Sequence, residues 1–353
     1  MTAADQKPFR WALAGYGAGG RTFHQPLISS ASGLQLVAVV TGSAKRQAEV
    51  QADLPEASTV GSMADLLALG VRGVTITTPT ATHAALAHQA LDLGLHVVVD
   101  KPFALTAEDA RKLVDHAEAV GLLVIPYQNR RWDSDLRTVQ KLIADGVLGE
   151  VHSFTSRIDR FRPVKGSWHG GTVEEGGGTL LDLGPHLVDQ ALYLFGPVLT
   201  VHAQLRTVRD GAGADDVIEL HLRHANGVDS TLAAGMASAA PGPRLQVNGT
   251  TGGFVIDGFD IQEEQLKSGD SPATLGAEWG VEPESAWGRF YDADGPRPVP
   301  SERGAWDSYY PAVAAAIAGN GAPPVPAQDA IATAVVLDAA RESAATGAVV
   351  SLR

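Results

Sequence analysis

The sequence predicts an α/β protein with a doubly wound parallel sheet first and then an α/β domain built on a large open, mostly antiparallel sheet. Strand-like and helix-like segments alternate as far as Pro126, which is typical of a parallel sheet with right-handed crossovers. Strand-like runs joined by short turns dominate later, between residues 198 and 257. With 353 residues, the chain is long enough for two domains. We place them at residues 1–126 and 127–353, with the last helices able to pack back on the first domain.

The elements of the first part follow from apolar runs that are bounded by turn residues. Such short runs predict strands, and the longer amphipathic segments between them predict helices. The five predicted strands are 9–14, 34–40, 73–77, 95–99 and 122–126. The predicted helices are 21–29, 44–52, one that begins at Ser62, 82–93 and 106–120. Ser62 is expected to be an N-cap, with Asp65 in the capping-box position.

The second part contains more strands than helices. The predicted strands are 151–158, 198–208, 217–223, 229–239, 244–248 and 253–257. Turn sequences at 225–227 and 248–249 are typical of hairpins, so we expect a sheet of five or six strands. Helices are predicted at 134–145, 181–195, 306–318 and 327–346. Residues 268–304 are rich in Gly, Pro and acidic residues, which predicts a long surface loop.

A glycine-rich turn follows the first strand. It consists of Gly15, Tyr16, Gly17, Ala18, Gly19 and Gly20. In a Gly-x-Gly-x-x-Gly turn of the Rossmann fold, the first glycine permits the tight turn, the second lets the backbone approach a pyrophosphate, and the third lets helix and strand pack closely. The free N–H groups at the start of the helix then face the anion. A plain glycine-rich turn is the alternative, because the chain has 39 glycines.

The end of the second strand bears on the choice between NAD and NADP. NAD-binding sheets usually place an Asp or Glu there, which accepts a hydrogen bond from the ribose 2′-hydroxyl. Here the segment has no acid and offers Thr41, Ser43 and Arg46, which suit a 2′-phosphate. We therefore expect NADP(H), with NAD(H) possible. The alternative is that Lys45 and Arg46 only begin a solvated helix.

Lys101 directly follows the strand predicted at 95–99. The carboxyl ends of strands line the ligand crevice of an open α/β sheet. An ammonium group at that edge could polarise a substrate oxygen or help relay its proton. The alternative is an ordinary surface lysine, but the strand end and the following Pro102 favour a functional one.

Asp182 and His186 form a second candidate pair. Proline is tolerated only in the first turn of a helix, so Pro185 indicates a helix that begins close to Asp182. Residues four apart on a helix share a face, and Asp189 would lie one turn further along. The helix N-terminus favours a neutral imidazole, which can take a proton from an alcohol as hydride leaves its carbon. Asp182 could orient His186 or contact a substrate hydroxyl.

Two other interpretations of this pair remain open. Asp182 could be only an N-cap and His186 a buried histidine with satisfied hydrogen bonds. The spacing also suits two metal ligands, to which His169 or His152 could add a third. We predict no metal site, because no third ligand stands at a matching short spacing.

These motifs together resemble the Gfo/Idh/MocA oxidoreductase family over nearly the whole chain. Thr78-Pro79 with His83 matches the family's Thr-Pro-x-x-x-His, and Asp182 with His186 matches its Asp-x-x-x-His. Asp100-Lys101-Pro102 matches its Glu-Lys-Pro, with Asp in place of Glu. Segments resembling the branch with NADP-dependent scyllo-inositol dehydrogenases are 15–17, 23–27, 127–133 and 181–196.

The resemblance implies a Rossmann domain and an open-faced α/β domain with a polyol or sugar bound between them. It implies Lys101, Asp182 and His186 as the catalytic group. Beyond the glycine turn and the segment at 41–46, the implied cofactor contacts are Thr78, Pro79, Thr80, His83, Asp100, Lys101 and Gln128. The candidate substrate contacts are Asn129, Arg130, Asp159, Trp168, Asp182 and His186. Arg160 and Arg162 could line the same cleft or be solvated loop charges.

Composition and net charge exclude thiol chemistry and disfavour nucleic acid as a partner. The chain has no cysteine, which excludes disulfides and thiolate chemistry, and a net charge of −13, which disfavours nucleic acid. Nothing resembles a signal peptide or a membrane span, so we expect a cytoplasmic protein. A broad open sheet face is usually covered by a second copy, which predicts a homodimer or homotetramer, with a monomer as the alternative.

The expected activity is hydride transfer between a nicotinamide cofactor and a carbinol or carbonyl carbon of a cyclic polyol or sugar. A non-catalytic, nucleotide-bound regulator of the same fold is the alternative from another class. The intact Lys101 and Asp182/His186 set counts against it, because a sensor needs no group for proton transfer. Reduction of an imine or an enone-like ring also remains open.

Overall fold

A computed structural model describes residues 7–162, 171–173, 175–211 and 213–352. Its first sheet is wholly parallel, with six strands in the order β3-β2-β1-β4-β5-β6. The strands are β1 Phe9–Ala14, β2 Leu34–Val40, β3 Ser58–Val60, β4 Gly73–Ile76, β5 His96–Val99 and β6 Val124–Pro126. The central strands are buried on both faces, which is why they read as continuous apolar runs. The short β3 was not predicted.

Helices connect these strands. They are α1 Gln25–Ser30, α2 Ala44–Asp53, α3 His83–Asp92 and α4 Ala107–Ala119, and a π-helical turn, Gly19–His24, precedes α1. The predicted helix at Ser62 is wrong in type and start, because a 3₁₀ helix spans Ala64–Leu69 and ends at Gly70. Ser62 donates its backbone N–H and its hydroxyl to Asp65 instead of accepting a hydrogen bond, so only half of a capping box forms.

The second sheet has nine strands in the order β14-β13-β12-β11-β7-β10-β9-β8-β15. Only the pairing of β7 with β10 is parallel among the described strand pairs of this sheet. The strands are β7 Val151–Asp159, β8 Val198–Arg206, β9 Val217–His224, β10 Asp229–Gly235, β11 Leu245–Gly249, β12 Gly253–Ile256, β13 Gly288–Asp292, β14 Gly295–Val299 and β15 Val350–Ser351.

The prediction of five or six strands and of a loop over 268–304 was wrong. The hairpin of β13 and β14 lies inside that segment. β14 contains Pro296 and Pro298, which cannot donate to a ladder and which therefore argue against a strand in sequence. The sheet tolerates them because β14 is an edge strand.

The helices of the second part pack on one face of the nine-stranded sheet and against the first sheet. They are α5 Ser134–Ala144, α6 Thr179–Asp182, α7 Gly184–Phe195, α8 Gln262–Lys267, α9 Pro272–Leu275, α10 Tyr309–Ile317 and α11 Ala327–Thr346. The single helix predicted at 181–195 is in fact α6 and α7, separated at Leu183 with φ −111° and ψ −29°. Pro185 lies in the first turn of α7, as predicted.

Helix α11 belongs to two hydrophobic cores. Ala330 and Ala334 pack with the core of the first sheet. Leu337 and Ala340, further along the same helix, pack with the core of the second sheet. The domain boundary after Pro126 stays a prediction. No helix among the described residues is long and apolar enough to cross a lipid bilayer.

Candidate active site

The glycine turn after β1 has the shape that a dinucleotide pyrophosphate requires. Gly15 has φ +92°, and a Cβ there would lie 3.0 Å from the Thr77 carbonyl. A Cβ on Gly20 would collide with the carbonyl oxygen of Gly15. At Gly17 nothing lies within 4 Å of an added Cβ, so the outer side of the turn is open. Two glycines are therefore required by the backbone, and the third leaves an open cradle that fits a dinucleotide.

The side chain of Tyr16 points away from that cradle. It is buried, and its hydroxyl donates to Asp53 Oδ2 at 3.0 Å on α2. Arg21 holds the same carboxylate through two hydrogen bonds of 2.6 and 3.0 Å. Only the backbone of Tyr16 is left to contact a cofactor.

The predicted 2′-phosphate contacts lie together where β2 meets α2. Ser43 caps α2 by accepting the Arg46 N–H at 3.4 Å, and the Ser43 N–H reaches Thr41 Oγ1 at 3.3 Å. The Arg46 guanidinium donates to Glu49 Oε2 at 2.7 Å. This hydrogen bond lowers the pKa of Glu49, which keeps that carboxylate charged beside Arg46. Arg46 thus already has an acidic partner that a phosphate would have to displace.

His83 joins two loops at the carboxyl edge of the first sheet. Its Nε2 lies 2.8 Å from the Thr78 carbonyl oxygen and its Nδ1 lies 2.9 Å from that of Pro102. Both ring nitrogens therefore face main-chain acceptors, and the side chain holds the loops rather than pointing at a ligand. Gly176, from the second part, approaches Thr80 in the same region.

Lys101 and Asp182 meet across the two parts of the chain. Lys101 Nζ donates to Asp182 Oδ1 and to the Asp182 backbone oxygen, each at 2.8 Å. One residue follows β5 and the other ends α6, and they are 81 positions apart. The lysine side chain remains 21% exposed, so its ammonium group is held but accessible.

His186 lies in the first turn of α7 and is only 5% exposed. Its Nδ1 is buried and has no hydrogen-bond partner among the described residues. Burial above all, and then the positive charges of Lys101, Arg130, Arg244 and Arg160, lower the pKa of His186 well below its usual value. Burial and the nearby cations therefore favour the neutral imidazole, the protonation state that was predicted.

In the segment after β6, Gln128 has a polar atom available for a ligand, whereas Arg130 is already held by two carboxylates. Gln128 is buried, and its Oε1 has no hydrogen-bond partner among the described residues. Arg130 is buried between Asp133 Oδ2 at 2.9 Å and Glu263 Oε2 at 2.7 Å. Although burial would raise the pKa of Glu263, the charges of Arg130 and Lys267 lower it to about 2.

The remaining predicted substrate residues are placed unevenly. Asn129 is buried beside Arg130, and Asp159 accepts the Gly242 N–H at 3.2 Å. Arg160 follows β7, is partly buried and makes no ion pair within the part of the chain that the structure describes. Trp168 and His169 lie outside the described residues.

Asp189 has a structural role. Arg131 binds it through hydrogen bonds of 2.8 and 2.6 Å, and also contacts Asp329 at 2.9 Å. Arg131, which follows β6, thereby bridges α7 and the start of α11. In the described ranges, no group of three or more His, Cys, Asp or Glu side chains could hold a metal ion.

A cavity of about 300 Å³ lies outside this site, between α5 and α7. Its lining is polar and cationic, and it includes none of the predicted site residues. The lining residues are Arg131, Trp132, Arg137, Gln140, Lys141, Tyr193 and Glu302.

Sequence reasoning missed several residues beside the site. Asp133 and Glu263 fix Arg130, and His24 lies 3.5 Å from Asp100 with Tyr310 behind it. No short-range pattern relates His24 to Tyr310, which are 286 positions apart, whereas Asp133 stands only three residues from Arg130. In the sequence, His24 is part of the segment 23–27 that resembles the family.

Comparison with known proteins identifies the family. A model described as "Oxidoreductase family, NAD-binding Rossmann fold" matches residues 9–128, and one described as "GFO/IDH/MocA C-terminal domain" matches residues 136–255. The uncharacterized oxidoreductase YdgJ of Escherichia coli (strain K12) is 37% identical over 344 residues, which are 95% of this chain and 96% of that protein. The chain belongs to the Gfo/Idh/MocA oxidoreductase family. It is thus an oxidoreductase with an NAD(P)-binding Rossmann domain.

Two further relatives show what this Gfo/Idh/MocA protein resembles. The scyllo-inositol 2-dehydrogenase (NADP(+)) IolW of Bacillus subtilis (strain 168) is 33% identical over 339 residues, covering 94% of this chain and 92% of that protein. The solved structure of YPO2259 from Yersinia pestis superposes with a TM-score of 0.91 at 35% identity, covering 100% of this chain and 99% of that one. The whole two-part architecture is therefore shared.

Proposed function

We propose that this protein is an NADP(H)-preferring dehydrogenase or reductase of the scyllo-inositol dehydrogenase-like branch, acting on a CH–OH carbon of a cyclic polyol or sugar. The observation that carries the proposal is the meeting of Lys101 with Asp182 beside the neutral, buried His186. This group lies at the carboxyl edge of a sheet whose glycine turn fits a dinucleotide. The relative named a scyllo-inositol 2-dehydrogenase supports the substrate class.

The side chains have separate roles in this reaction. The glycine turn, the 78–83 loop and Gln128 would hold the dinucleotide, whose nicotinamide would supply or accept the hydride. Lys101 donates a hydrogen bond to the substrate oxygen and stabilises the negative charge that develops on it. Asp182 holds the ammonium group in place. Neutral His186 takes the hydroxyl proton during oxidation and returns it during reduction.

The preference for NADP rests on the end of β2. The segment has Thr41, Ser43 and Arg46 where an NAD-specific sheet would carry an acid. A carboxylate there would repel a 2′-phosphate, whereas a guanidinium binds it through paired hydrogen bonds. The NADP(+) in the name of the Bacillus relative agrees with this preference.

A homodimer or homotetramer through the nine-stranded sheet completes the proposal. One face of that sheet carries the apolar residues that pack on α7 and α11. On the other face Gln204, Glu219, His221 and Arg223 stay exposed. A second copy could cover this polar face.

A substrate screen with a His186→Ala variant tests the activity. The purified protein is mixed with NADP or NAD and a panel of inositols and aldoses, and nicotinamide absorbance is followed. We expect turnover with NADP, and a fall of about 10²–10⁴-fold in His186→Ala while NADP affinity stays near that of the wild type. His152→Ala, an exposed histidine on β7, is the matched control and should turn over normally. Tight nucleotide binding without any turnover would instead indicate a sensor, and an unchanged rate in His186→Ala would remove His186 from the reaction.

A further inference from the structure

A buried chain of polar groups runs beneath Lys101, and the proposed reaction does not use it. The Trp11 indole N–H donates to Thr75 Oγ1 at 2.9 Å, and the Thr75 hydroxyl lies 3.2 Å from that of Tyr310. Tyr310 Oη lies 2.6 Å from His24 Nδ1. His24 Nε2 then faces Asp100 Oδ2 at 3.5 Å. The side chains of His24, Tyr310, Thr75 and Trp11 are all 0% exposed.

The groups at the two ends, Trp11 and Asp100, fix which atoms donate and which accept along this series of polar contacts. An indole N–H can only donate, so Thr75 accepts from Trp11 and has its own proton free for Tyr310. An ionised carboxylate can only accept, so the nitrogen of His24 that faces Asp100 carries a proton. In a neutral imidazole the other nitrogen, Nδ1, is then the acceptor of the Tyr310 hydroxyl. With His24 neutral, these contacts correspond to its Nε2–H tautomer.

Asp100 connects this chain to Lys101. Its Oδ1 accepts the backbone N–H of Lys101 at 2.7 Å, while its Oδ2 faces His24. An added Cβ on Gly19 would lie 3.4 Å from Oδ2, so the carboxylate lies directly under the glycine turn. Burial would raise the pKa of Asp100, but the interactions with His24 and the charge of Lys101 outweigh it and lower the pKa. The group therefore stays ionised, accepts the Lys101 N–H, and faces His24 Nε2, which makes no hydrogen bond at 3.5 Å among the described residues.

We propose that His24, backed by Tyr310, is a positioning residue that holds the Asp100 carboxylate and thereby orients Lys101 for its contact with Asp182. The inference rests on the proposed function, because Lys101 is the group that acts on the substrate there. Tyr310, on α10 late in the sequence, would thus help to position the turn that carries Asp100 and Lys101 in the dinucleotide-binding part. The His24–Asp100 distance of 3.5 Å leaves room for this contact to shorten when ligands bind.

Two substitutions at His24 separate positioning from packing. Glutamine can place an N–H near the former Nε2, whereas asparagine reaches only the region of Nδ1. We expect His24→Asn to lower kcat about ten- to hundredfold with little change in the KM for NADP, and His24→Gln to recover most of it. Equal losses in the two variants, or a rise in KM alone, would overturn the inference.

A tyrosine pair provides the matched control. Tyr310→Phe removes only the hydroxyl that bonds His24, and we expect kcat to fall several-fold. Tyr309→Phe removes the adjacent buried hydroxyl, which donates to the Pro126 carbonyl at 2.8 Å and takes no part in the series of polar contacts from Trp11 to Asp100. In this variant kcat should stay within about twofold of the wild-type value. Equal kcat values in the two variants would overturn the inference even if the His24 variants do not fold.

Amide hydrogen exchange at Lys101 gives a readout that needs no substrate. Because the Lys101 N–H is bonded to Asp100, its exchange should be about tenfold faster in His24→Asn and near wild type in His24→Gln. Unchanged protection in His24→Asn would contradict the inference. If the wild-type protein turns over no polyol or sugar, the proposed function fails, and this exchange measurement still decides the role of His24.

Discussion

The protonation state of His186 is the residue-scale property on which the proposed reaction depends. Its pKa is lowered by burial first and by Lys101 second, so the acid limb of kcat/KM for oxidation should lie below pH 6.5. The lowered pKa of His186 also makes the stability of the folded protein depend on pH. Below pH 6.5 the unfolded chain binds the proton more readily than the folded one, so His186 lowers stability as the pH falls.

Lys101→Met tests the contribution of the ammonium group. Loss of this cation should raise the pKa of His186, although not to its unperturbed value, because burial remains. NMR titration of the histidine ring protons measures the change. His224 is the control, because burial lowers its pKa without any contribution from Lys101. An unmoved His186, or an equal movement of His224, would show that the Lys101 charge does not act on the imidazole.

The sequence was sufficient for residues whose chemistry shows in a local pattern. Lys101 stands at a strand end, and His186 follows Asp182 at helical spacing, so each could be named without the fold. Their convergence was expected only from the family resemblance. Glu263 as a partner of Arg130 and Tyr310 as a partner of His24 could not be predicted, since both reach them only through tertiary packing.

At the scale of elements, the β2–α2 junction should determine cofactor choice. Arg46→Ala should raise the KM for NADP about tenfold and leave that for NAD unchanged, because a charge-assisted hydrogen bond to the 2′-phosphate is lost. Glu49→Gln should lower the KM for NADP, since it removes the carboxylate that now holds Arg46 at 2.7 Å. Steady-state kinetics with both nucleotides checks this.

Lys45→Ala is the matched control for that experiment. Lys45 is the exposed neighbouring cation at the start of α2. If its removal raises the KM for NADP as much as Arg46→Ala does, the effect is one of general charge, and Arg46 has no specific contact with the phosphate. Equal KM values of the wild type for NADP and NAD would contradict the predicted preference itself.

Elements with a consistent pattern were predicted well, and those that depend on their neighbours were not. β2 and α11 have the predicted bounds, because apolar spacing and the flanking glycines agree there. The hairpin of β13 and β14 looks like a loop because glycine and proline disfavour strands. These residues form strands only because β13 pairs with β12 at the edge of the sheet.

For the whole molecule, the exposed face of the nine-stranded sheet predicts self-association. Light scattering of the purified protein should give a multiple of the 36.8 kDa chain mass. Thr231→Arg, near the middle of that face on β10, should shift the protein toward the monomer, because it places charge and bulk in the interface. Thr59→Arg, on the exposed edge strand β3, should not. A monomeric wild type would contradict the prediction.

Helix α11 packs in the hydrophobic cores of both halves of the protein, so the two halves cannot be separated without exposing apolar surface. A fragment that stops after Pro126 would lack Ala330 and Ala334, and would leave the apolar surface that they cover open to water. A fragment that starts at residue 127 would keep the helix but expose those alanines. The gene is therefore better expressed whole than split, and heat should melt both halves in one cooperative step.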